Sequence, residues 1–435
     1  MMQFVSTRGA GPVDIGQALA DGLAKDGGLY VPATLPTFSA AEFADLQLTA
    51  VAKTLLAPFF VGSPLNEHLD AIVAETFSFD VPVRPLSTES GRASLLELFH
   101  GPTAAFKDVG AGFLAACISR LEANAASPLT ILVATSGDTG GAVAAAFDRR
   151  ANIRVVVLYP DGRVSDRQAH QLSCWSDNVL SLAVDGTFDE CQALVKRAMT
   201  DADLRAKYRF SSANSINIGR LLPQCTYYAF ASLNHYRKTG NKPGFVIPTG
   251  NLGNALACVL AREMGLPIGP IVLATNANRT IADYFDSLDW QPRASIATLA
   301  SAMDVGNPSN MERLRGLLGE ADVLREQLSV QVIDDAGIRD GIGRDFAEFN
   351  IVSCPHTATA TQVWRALSAS DTDWILVATA HAAKFETIVE PIIGQSVQIP
   401  ESLAAVLSQP SRAVQVDATM DAVVAAMGAR FSCNA

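Results

Sequence analysis

The sequence LLELFHGPTAAFKDVGAGF, residues 95–113, places one lysine between a run of small and apolar residues and the start of a predicted helix. Val109, Phe113 and Cys117 recur at helical spacing, so Lys107 lies where a loop enters a helix, near the positive end of the helix dipole. Partial burial there would lower the pKa of the amine and make Lys107 a nucleophile or a base. The structural alternative is a lysine that extends its amine into solvent.

Strand and helix patterns alternate on both sides of this stretch, which predicts an α/β fold with parallel strands covered by helices. Short apolar runs of strand length occupy residues 129–134, 153–158, 179–184, 245–247, 271–274 and 374–378. Helical patterns occupy residues 164–172, 188–198, 221–236 and 255–265. We predict a mostly helical N-terminal domain over residues 1–90, with GGLYVPATLP as a loop, and two α/β domains over residues 91–215 and 216–435.

The amino-acid composition and net charge exclude several classes of function. The chain has 435 residues, 49% of them hydrophobic and 18% charged, with a net charge of −11. An acidic surface argues against nucleic acid or an anionic membrane as a partner. The seven cysteines form no CxxC pair, and no apolar run has transmembrane length. We expect reduced thiols, a cytoplasmic location and a small-molecule substrate; the sequence leaves the oligomeric state open.

The first candidate anion loop is TGNLGN, residues 249–254, between an apolar strand and an alanine-rich helix. Gly250 and Gly253 allow the backbone amides to turn inward, and the helix that follows adds its positive end, which suits a phosphate. A plain turn between a strand and a helix is the alternative. The loop lacks GxGxxG and the lysine of a Walker loop, so neither nucleotide motif is met.

The second candidate loop is TSGDTGG, residues 135–141, in the same strand-to-helix position. Its hydroxyls and amides could hold a carboxylate or a phosphate. Asp138 would repel an anion unless it caps the helix or meets a hydroxyl, and helix capping is the alternative function of this residue.

Two further motifs carry polar side chains. Residues 214–220, NSINIGR, place asparagines, a serine and an arginine before a long helix, where they could bind phosphate or cap the helix. Residues 378–385, ATAHAAKF, place Thr379, His381 and Lys384 after a buried strand, at the strand end where α/β proteins bind ligands. No spacing of His, Cys or carboxylates indicates a metal. A lysine, an amide loop for a phosphate, an anion loop and a hydroxyl together suggest pyridoxal phosphate.

FHGPTAAFKD, TSGDTG, NSINIGR, IPTGNLGN, VGNPSN and ATAHAAKF, with STRG and DGGLYVP near the start, occur in one order along the chain. In this it resembles the threonine synthase family of the bacterial and fungal branch. The resemblance implies the PLP-dependent fold type II, as in the tryptophan synthase β chain, with two parallel-sheet α/β domains and an N-terminal mostly helical segment. It also implies the conversion of O-phospho-L-homoserine and water to L-threonine and phosphate, by γ-elimination followed by addition of water at Cβ.

The resemblance assigns roles to individual residues. Lys107 would form the Schiff base and move protons, while Thr379 would bind the pyridine nitrogen and Asp138 would lie near the 3′ oxygen of the cofactor. Two larger sets of residues would bind the cofactor phosphate and the substrate. These are Gly250, Asn251, Leu252, Gly253 and Asn254 for the phosphate, and Ser136, Thr139, Asn214, Ser215, Arg220 and Lys384 for the substrate.

The chain departs from the usual family pattern at Leu252, Asn254 and Ala382, where phenylalanine, aspartate and proline are frequent. Three other functions compete with this one. A related phospho-lyase would release a 2-oxo acid instead of threonine, and a catalytically silent homologue would only bind ligand. A nucleotide-binding α/β protein would lack the cofactor altogether.

Overall fold

A computed structural model describes residues 2–87, 92–135, 137–367 and 371–431. The strands are β1 (Phe4–Ser6), β2 (Tyr30–Pro32), β3 (Val83–Pro85), β4 (Ala93–Glu97), β5 (Leu129–Ala134), β6 (Ile153–Pro160), β7 (Val179–Asp185), β8 (Arg209–Ser212), β9 (Gly244–Pro248), β10 (Ile271–Thr275), β11 (Leu328–Val332), β12 (Trp374–Ala378) and β13 (Val414–Asp417).

Helices fill most of the remaining chain. They are α1 (Ile15–Asp21), α2 (Leu48–Phe60), α3 (Leu69–Thr76), α4 (Lys107–Leu121), α5 (Asp138–Phe147), α6 (Asp166–Ser173), α7 (Phe188–Thr200), α8 (Ala202–Lys207), α9 (Cys225–Thr239), α10 (Gly253–Glu263), α11 (Thr280–Ser287), α12 (Met311–Leu318), α13 (Ala321–Gln327), α14 (Asp335–Phe349), α15 (Pro355–Ala366), α16 (Glu386–Ile393), α17 (Glu401–Leu407) and α18 (Met420–Phe431).

The N-terminal region is mostly helical, as the sequence predicts, but it also contains a small antiparallel pair of strands. β1 pairs with β2, which lies inside the stretch predicted to be a loop. The pairing joins two segments more than twenty residues apart, and so short a strand leaves no periodic pattern in the sequence. The buried faces of α1, α2 and α3 join the same apolar cluster as α4.

Two central sheets confirm the predicted α/β architecture. One has the strand order β13-β7-β6-β5-β8, with every neighbouring pair parallel. The other has the order β11-β10-β9-β12-β4-β3 and is parallel except for the edge pair β3 and β4. In β5 and β9 all residues are buried, because parallel strands are covered by helices on both faces.

Sheet pairing crosses the predicted domain boundaries at two points. β4, assigned by the sequence to residues 91–215, pairs with β12 of the later sheet. β13, assigned to residues 216–435, pairs with β7 of the earlier sheet. Both pairings are long-range, so local composition carries no sign of the partner. The predicted boundary between residues 90 and 91 lies outside the described residues.

Candidate active site

Lys107 is the first residue of α4, which confirms the predicted junction between loop and helix. The preceding loop is tied to the end of β12, where Phe106 N donates to Thr379 O over 2.8 Å and His381 N donates to Ala104 O over 3.0 Å. The Lys107 side chain is 14% exposed. These two hydrogen bonds hold the lysine near the end of β12, and its side chain is largely buried instead of extending into solvent.

Burial lowers the pKa of Lys107 to about 8, and the positive charges of Lys384 and Arg220 act in the same direction. Asp138 opposes them, with Oδ2 lying 3.9 Å from Lys107 Nζ. A lysine with this pKa is partly neutral near neutral pH, and the neutral amine is the nucleophilic form.

Asp138 is the first residue of α5, and Gly137 precedes it as the N-cap with φ of 143°. Its Oδ1 accepts hydrogen bonds from Lys384 Nζ at 2.8 Å and from Gln168 Nε2 at 3.3 Å. Burial alone would raise the pKa of Asp138, but Lys384 and Lys107 hold it well below its usual range. The aspartate therefore stays ionised and faces a charge partner instead of capping the helix.

Thr379 follows β12 directly and is buried, next to the backbone ladder that holds the Lys107 loop. Thr379 thus lies at the carboxyl end of a parallel strand, as predicted from the sequence pattern. Lys384 lies five residues further along, on a short 3₁₀ helix, and is fully buried. Its Nζ donates to Thr103 O over 2.7 Å, so this amine, predicted to meet the substrate, is bound within the protein.

The second loop joins β9 to α10, which begins at Gly253. Leu252, the N-cap of α10, adopts a left-handed conformation with φ of 62°, and the first amides of α10 have no acceptor within the helix. At Gly250 a Cβ would lie only 2.6 Å from Met303 Cα, so the close approach of these two backbones requires glycine.

Asn251 locks this loop to two neighbouring segments. Its Nδ2 donates to Ser215 Oγ over 2.7 Å, and its Oδ1 accepts from Ser309 N at 2.6 Å. Asn310 Nδ2 in turn donates to Asn251 O over 3.0 Å. The structure thereby brings Ser215 of NSINIGR and the VGNPSN motif onto the predicted phosphate loop.

The Asn254 side chain turns away from the loop, toward α9. Its Oδ1 accepts from Tyr227 Oη at 2.5 Å and from Tyr228 Oη at 2.9 Å. Only the backbone amide of Asn254 thus belongs with the other loop amides. In the described part of the chain, Asn254 Nδ2 has no hydrogen-bond partner although it is buried.

The predicted substrate residues fall into separate environments. Asn214 Nδ2 donates to Ala134 O over 3.1 Å, at the end of β5. Arg220 is buried, its Nη1 donates to Ala213 O, and burial lowers its pKa to about 10. Its Nε has no hydrogen-bond partner among the described residues. Thr139 lies in the first turn of α5, whereas Ser136 is outside the described residues.

Sequence reasoning missed Arg313, which is almost completely buried. Its guanidinium donates to Tyr30 O at 3.0 Å, Ser215 O at 3.1 Å, Ile216 O at 2.5 Å and Asn310 Oδ1 at 2.7 Å. Burial lowers its pKa to about 9. The spacing of Arg313 three residues after Asn310 was the only local signal, and it does not reveal the carbonyl oxygens that Arg313 binds.

His356, which is buried, was also missed. Its Nε2 accepts from Ala302 N at 3.1 Å, next to the Met303 backbone that packs on Gly250. Burial lowers its pKa to about 4, so the imidazole is neutral, and Asp138 partly opposes this.

These features fit pyridoxal phosphate. Lys107 supplies a buried amine of lowered pKa for an aldehyde, and the loop of residues 250–254 supplies glycines and helix amides for a phosphate. The unpartnered Arg220 Nε is a further buried donor suited to an anion. Within the described ranges, no group of three or more His, Cys, Asp or Glu side chains is placed to hold a metal.

Comparison with known proteins agrees with pyridoxal phosphate as the cofactor. The family model described as "Pyridoxal-phosphate dependent enzyme" matches residues 81–410, and the model described as "Threonine synthase N terminus" matches residues 3–77. The threonine synthase of Serratia marcescens is 39% identical over 90% of this chain and 91% of its own length. The Escherichia coli threonine synthase is 38% identical over the same shares.

Solved structures show the same likeness over the full length. The crystal structure of a PLP-bound threonine synthase from Brucella melitensis is 31% identical, with a TM-score of 0.91 and complete coverage of both chains. The Escherichia coli threonine synthase structure has a TM-score of 0.87 at 36% identity and covers 98% of this chain and 99% of its own.

Proposed function

The chain belongs to the threonine synthase family of pyridoxal-phosphate-dependent enzymes, and from that premise we propose which of its residues perform each part of the reaction. The enzyme is a lyase that forms L-threonine and phosphate. We propose O-phospho-L-homoserine as its substrate, with water as the second reactant. The observation that carries the proposal is the buried amine of Lys107 at the start of α4, with its Nζ 3.9 Å from Asp138 Oδ2 at the start of α5.

Pyridoxal phosphate, when bound, supplies an aldehyde for an amine and an aromatic ring that accepts electrons from the substrate. We propose that Lys107 Nζ binds the cofactor covalently at rest. The free amine would remove the proton from the substrate Cα. A second proton is then lost from Cβ as phosphate leaves from Cγ, after which the amine would deliver a proton at Cγ and water would add at Cβ. A pKa of about 8 allows one group to do both, because a base and its conjugate acid are both present near neutral pH.

The loop of residues 250–254 would bind the cofactor phosphate through the backbone amides of Gly250, Asn251, Leu252, Gly253 and Asn254. Its locking by Ser215 and Asn310 keeps the amides in place before the ligand arrives, which reduces the entropy lost on binding. Thr379 would hydrogen-bond the pyridine nitrogen. A neutral hydroxyl leaves that nitrogen largely unprotonated, unlike a carboxylate.

Substrate binding is assigned to the region around α5 and NSINIGR. Ser136 and Thr139 would receive the substrate carboxylate at the start of α5. Arg220, with its unpartnered Nε, would meet the substrate phosphate together with Asn214 and Ser215. Arginine suits this role because its guanidinium is charged at every physiological pH.

Incubation with O-phospho-L-homoserine, followed by identification of the products, tests this function. L-threonine and inorganic phosphate in equal amounts are expected from the wild type, with at least a thousandfold lower rate from Lys107→Ala. Formation of 2-oxobutyrate with phosphate would instead assign the chain to the phospho-lyase alternative. Lys53→Ala, which removes an exposed lysine that pairs with Asp70, is the matched control and should keep full activity.

We propose a cytoplasmic location for the enzyme. The cysteines of the described residues are buried and free, which is typical of a reducing compartment. No helix among these residues is both long and apolar enough to cross a membrane. Fractionation of cells that produce the protein, followed by immunodetection, tests this location, and recovery in the membrane or extracellular fraction would contradict it.

A further inference from the structure

Lys384 and Asp138 form a buried ion pair between the two sheets. Lys384 comes from the 3₁₀ helix after β12, and Asp138 begins α5 after β5. Their Nζ and Oδ1 atoms are 2.8 Å apart, and the two side chains are 0% and 4% exposed. Removing two charges from water is costly, so each residue depends on the other for compensation.

The backbone around Lys384 is held against the other sheet by α6. Ser165 Oγ donates to Lys384 O over 3.2 Å, and Arg167 Nη1 donates to Ala383 O over 2.5 Å. Gln168 of the same helix donates to Asp138 Oδ1. One helix thus positions both partners of the ion pair.

Lys107 lies beside the other oxygen of the same carboxylate, Asp138 Oδ2. Its Nζ is 3.9 Å from Asp138 Oδ2, which is too long for a hydrogen bond, whereas Lys384 Nζ is within hydrogen-bond distance of Oδ1. If Asp138 had no other cation, its negative charge would favour a protonated Lys107. A protonated amine is not a nucleophile, so this arrangement bears directly on the reaction.

We propose that Lys384 is a positioning residue that binds and neutralises Asp138, so that the Lys107 amine beside this carboxylate is free to react. The inference rests on the proposed function, since it gives Lys384 a role in that reaction other than contact with substrate. The Nζ bonds to Asp138 and to Thr103 O, together with the complete burial of the side chain, support it.

Three other charged or titratable groups lie near Lys107. Arg220 lowers the pKa of Lys107 in the same way as Lys384. His356 is neutral because burial lowers its own pKa to about 4. Asp108, whose pKa burial raises, accepts hydrogen bonds from Thr103 N at 2.9 Å and from Thr103 Oγ1 at 2.5 Å. None of these groups is changed in the substitutions that test the pair.

A double-mutant cycle in the full-length enzyme tests the proposal. The cofactor is removed, and Lys107 is reductively methylated with formaldehyde and cyanoborohydride at a series of pH values between 6 and 10. Peptide mapping then gives the pH at which the reactivity of Lys107 is half-maximal, its midpoint. Lys384→Met should raise the midpoint by about one pH unit, since a like charge is lost. Asp138→Asn should lower it, Lys384→Arg should leave it close to the wild-type value, and the double variant D138N/K384M should return toward that value.

The thermal midpoint provides a second measurement if Lys384→Met folds poorly. The double variant should melt at a higher temperature than Lys384→Met, because it removes both buried charges instead of leaving one unpaired. The exposed pair Lys53 and Asp70 is the matched control, for which the same cycle should show additive, small effects.

Equal Lys107 midpoints in all the variants would overturn the proposal. A raised KM for O-phospho-L-homoserine in Lys384→Met, with an unchanged Lys107 midpoint, would overturn it too, and would make Lys384 a substrate ligand. Failure of this proposal can be distinguished from failure of the proposed function. An enzyme that makes no threonine yet shows the expected cycle would contradict the reaction and leave the ion-pair role in place.

Discussion

Two loops occupy equivalent places in the two sheets and differ in charge. The loop after β5 leads into α5 with a buried carboxylate, Asp138, between Lys107 and Lys384. The loop after β9 leads into α10 and is held by amide, hydroxyl and backbone groups, with Arg313 as the buried cation behind it. Position in the fold is therefore shared, whereas the electrostatic environment is set by residues from distant parts of the chain.

This difference in charge suits the two loops to different roles in the reaction. A loop of neutral donors with a cation behind it suits a phosphate that stays in place throughout the reaction. A loop whose charges are paired and close to balance suits a site where protons move, because small changes there shift the protonation of Lys107. Substitutions in each loop should thus alter different measured quantities.

The largest effect is expected from Arg313→Met. Four oxygen atoms in three segments would lose their donor, and each buried unpaired group costs about 1–3 kcal/mol. We expect a free energy of unfolding lower by at least about 3 kcal/mol, measured by urea denaturation, and weaker cofactor binding in fluorescence titration.

Arg315→Met is the matched control for Arg313→Met on the same helix. Arg315 forms an ion pair of 2.7 Å with Glu320 at the surface, so its loss should cost no more than about 1 kcal/mol. Similar losses for the two arginines would show that Arg313 does not organise the neutral loop.

A smaller effect is expected from adding a methyl group at Gly250. In Gly250→Ala the new Cβ would overlap the Met303 backbone, and overpacking of this kind costs about 1–3 kcal/mol. Equilibrium dialysis should show cofactor affinity reduced by about tenfold or more, since 1.4 kcal/mol corresponds to a factor of ten.

The other loop offers a contrasting substitution, Gly141→Ala within α5. Its Cβ would meet Gln171 Cβ at 3.6 Å, an ordinary contact, and alanine favours a helix over glycine by about 0.5–1 kcal/mol. Stability should rise or stay unchanged. If Gly141→Ala weakened cofactor binding as much as Gly250→Ala, the two loops would not differ as described.

The last effect is a pH dependence of stability that arises from His356. Its pKa is about 4 in the folded chain against 6.5 for free histidine, so the unfolded chain binds more protons between these values. Stability should therefore rise with pH across this window, by at most about 1.4 kcal/mol per pH unit for this residue. His381 acts in the same direction, and Asp304, whose pKa burial raises to about 6, opposes it.

His356→Gln isolates this contribution, because glutamine keeps an acceptor for Ala302 N without titrating. The slope of the free energy of unfolding against pH, from urea titrations between pH 4 and 6.5, should decrease by up to about 1.4 kcal/mol per pH unit. An unchanged slope would mean that His356 is protonated in the folded chain.

The sequence predicts the parts of the fold that depend on local patterns. The predicted bounds of two buried strands, residues 129–134 and 374–378, agree with β5 and β12, because continuous apolar runs between polar turns have few alternatives. The strands that pair with β4 and β13 could not be predicted from local patterns. Parallel pairing joins distant segments, and a single strand does not encode which neighbour it will meet.

In the candidate active site, too, local sequence patterns predict only the local features. Lys107 could be located from its own neighbourhood, since the loop and the helix are both local. The contacts of Lys384 and Asn254 could not, because a carboxylate from the other sheet binds the first and two tyrosines from α9 bind the second. Motif resemblance predicts which residues would lie near the cofactor, whereas the directions of their side chains are set by packing between distant segments.

The most direct test of the central claim is borohydride reduction of the purified holoenzyme, followed by peptide mapping with mass spectrometry. We expect one modified peptide, with the reduced cofactor attached to Lys107 Nζ and the visible absorbance lost on reduction. Attachment to Lys384 or to another lysine would show that Lys107 does not bind the cofactor, as would a protein that binds pyridoxal phosphate without any reducible bond.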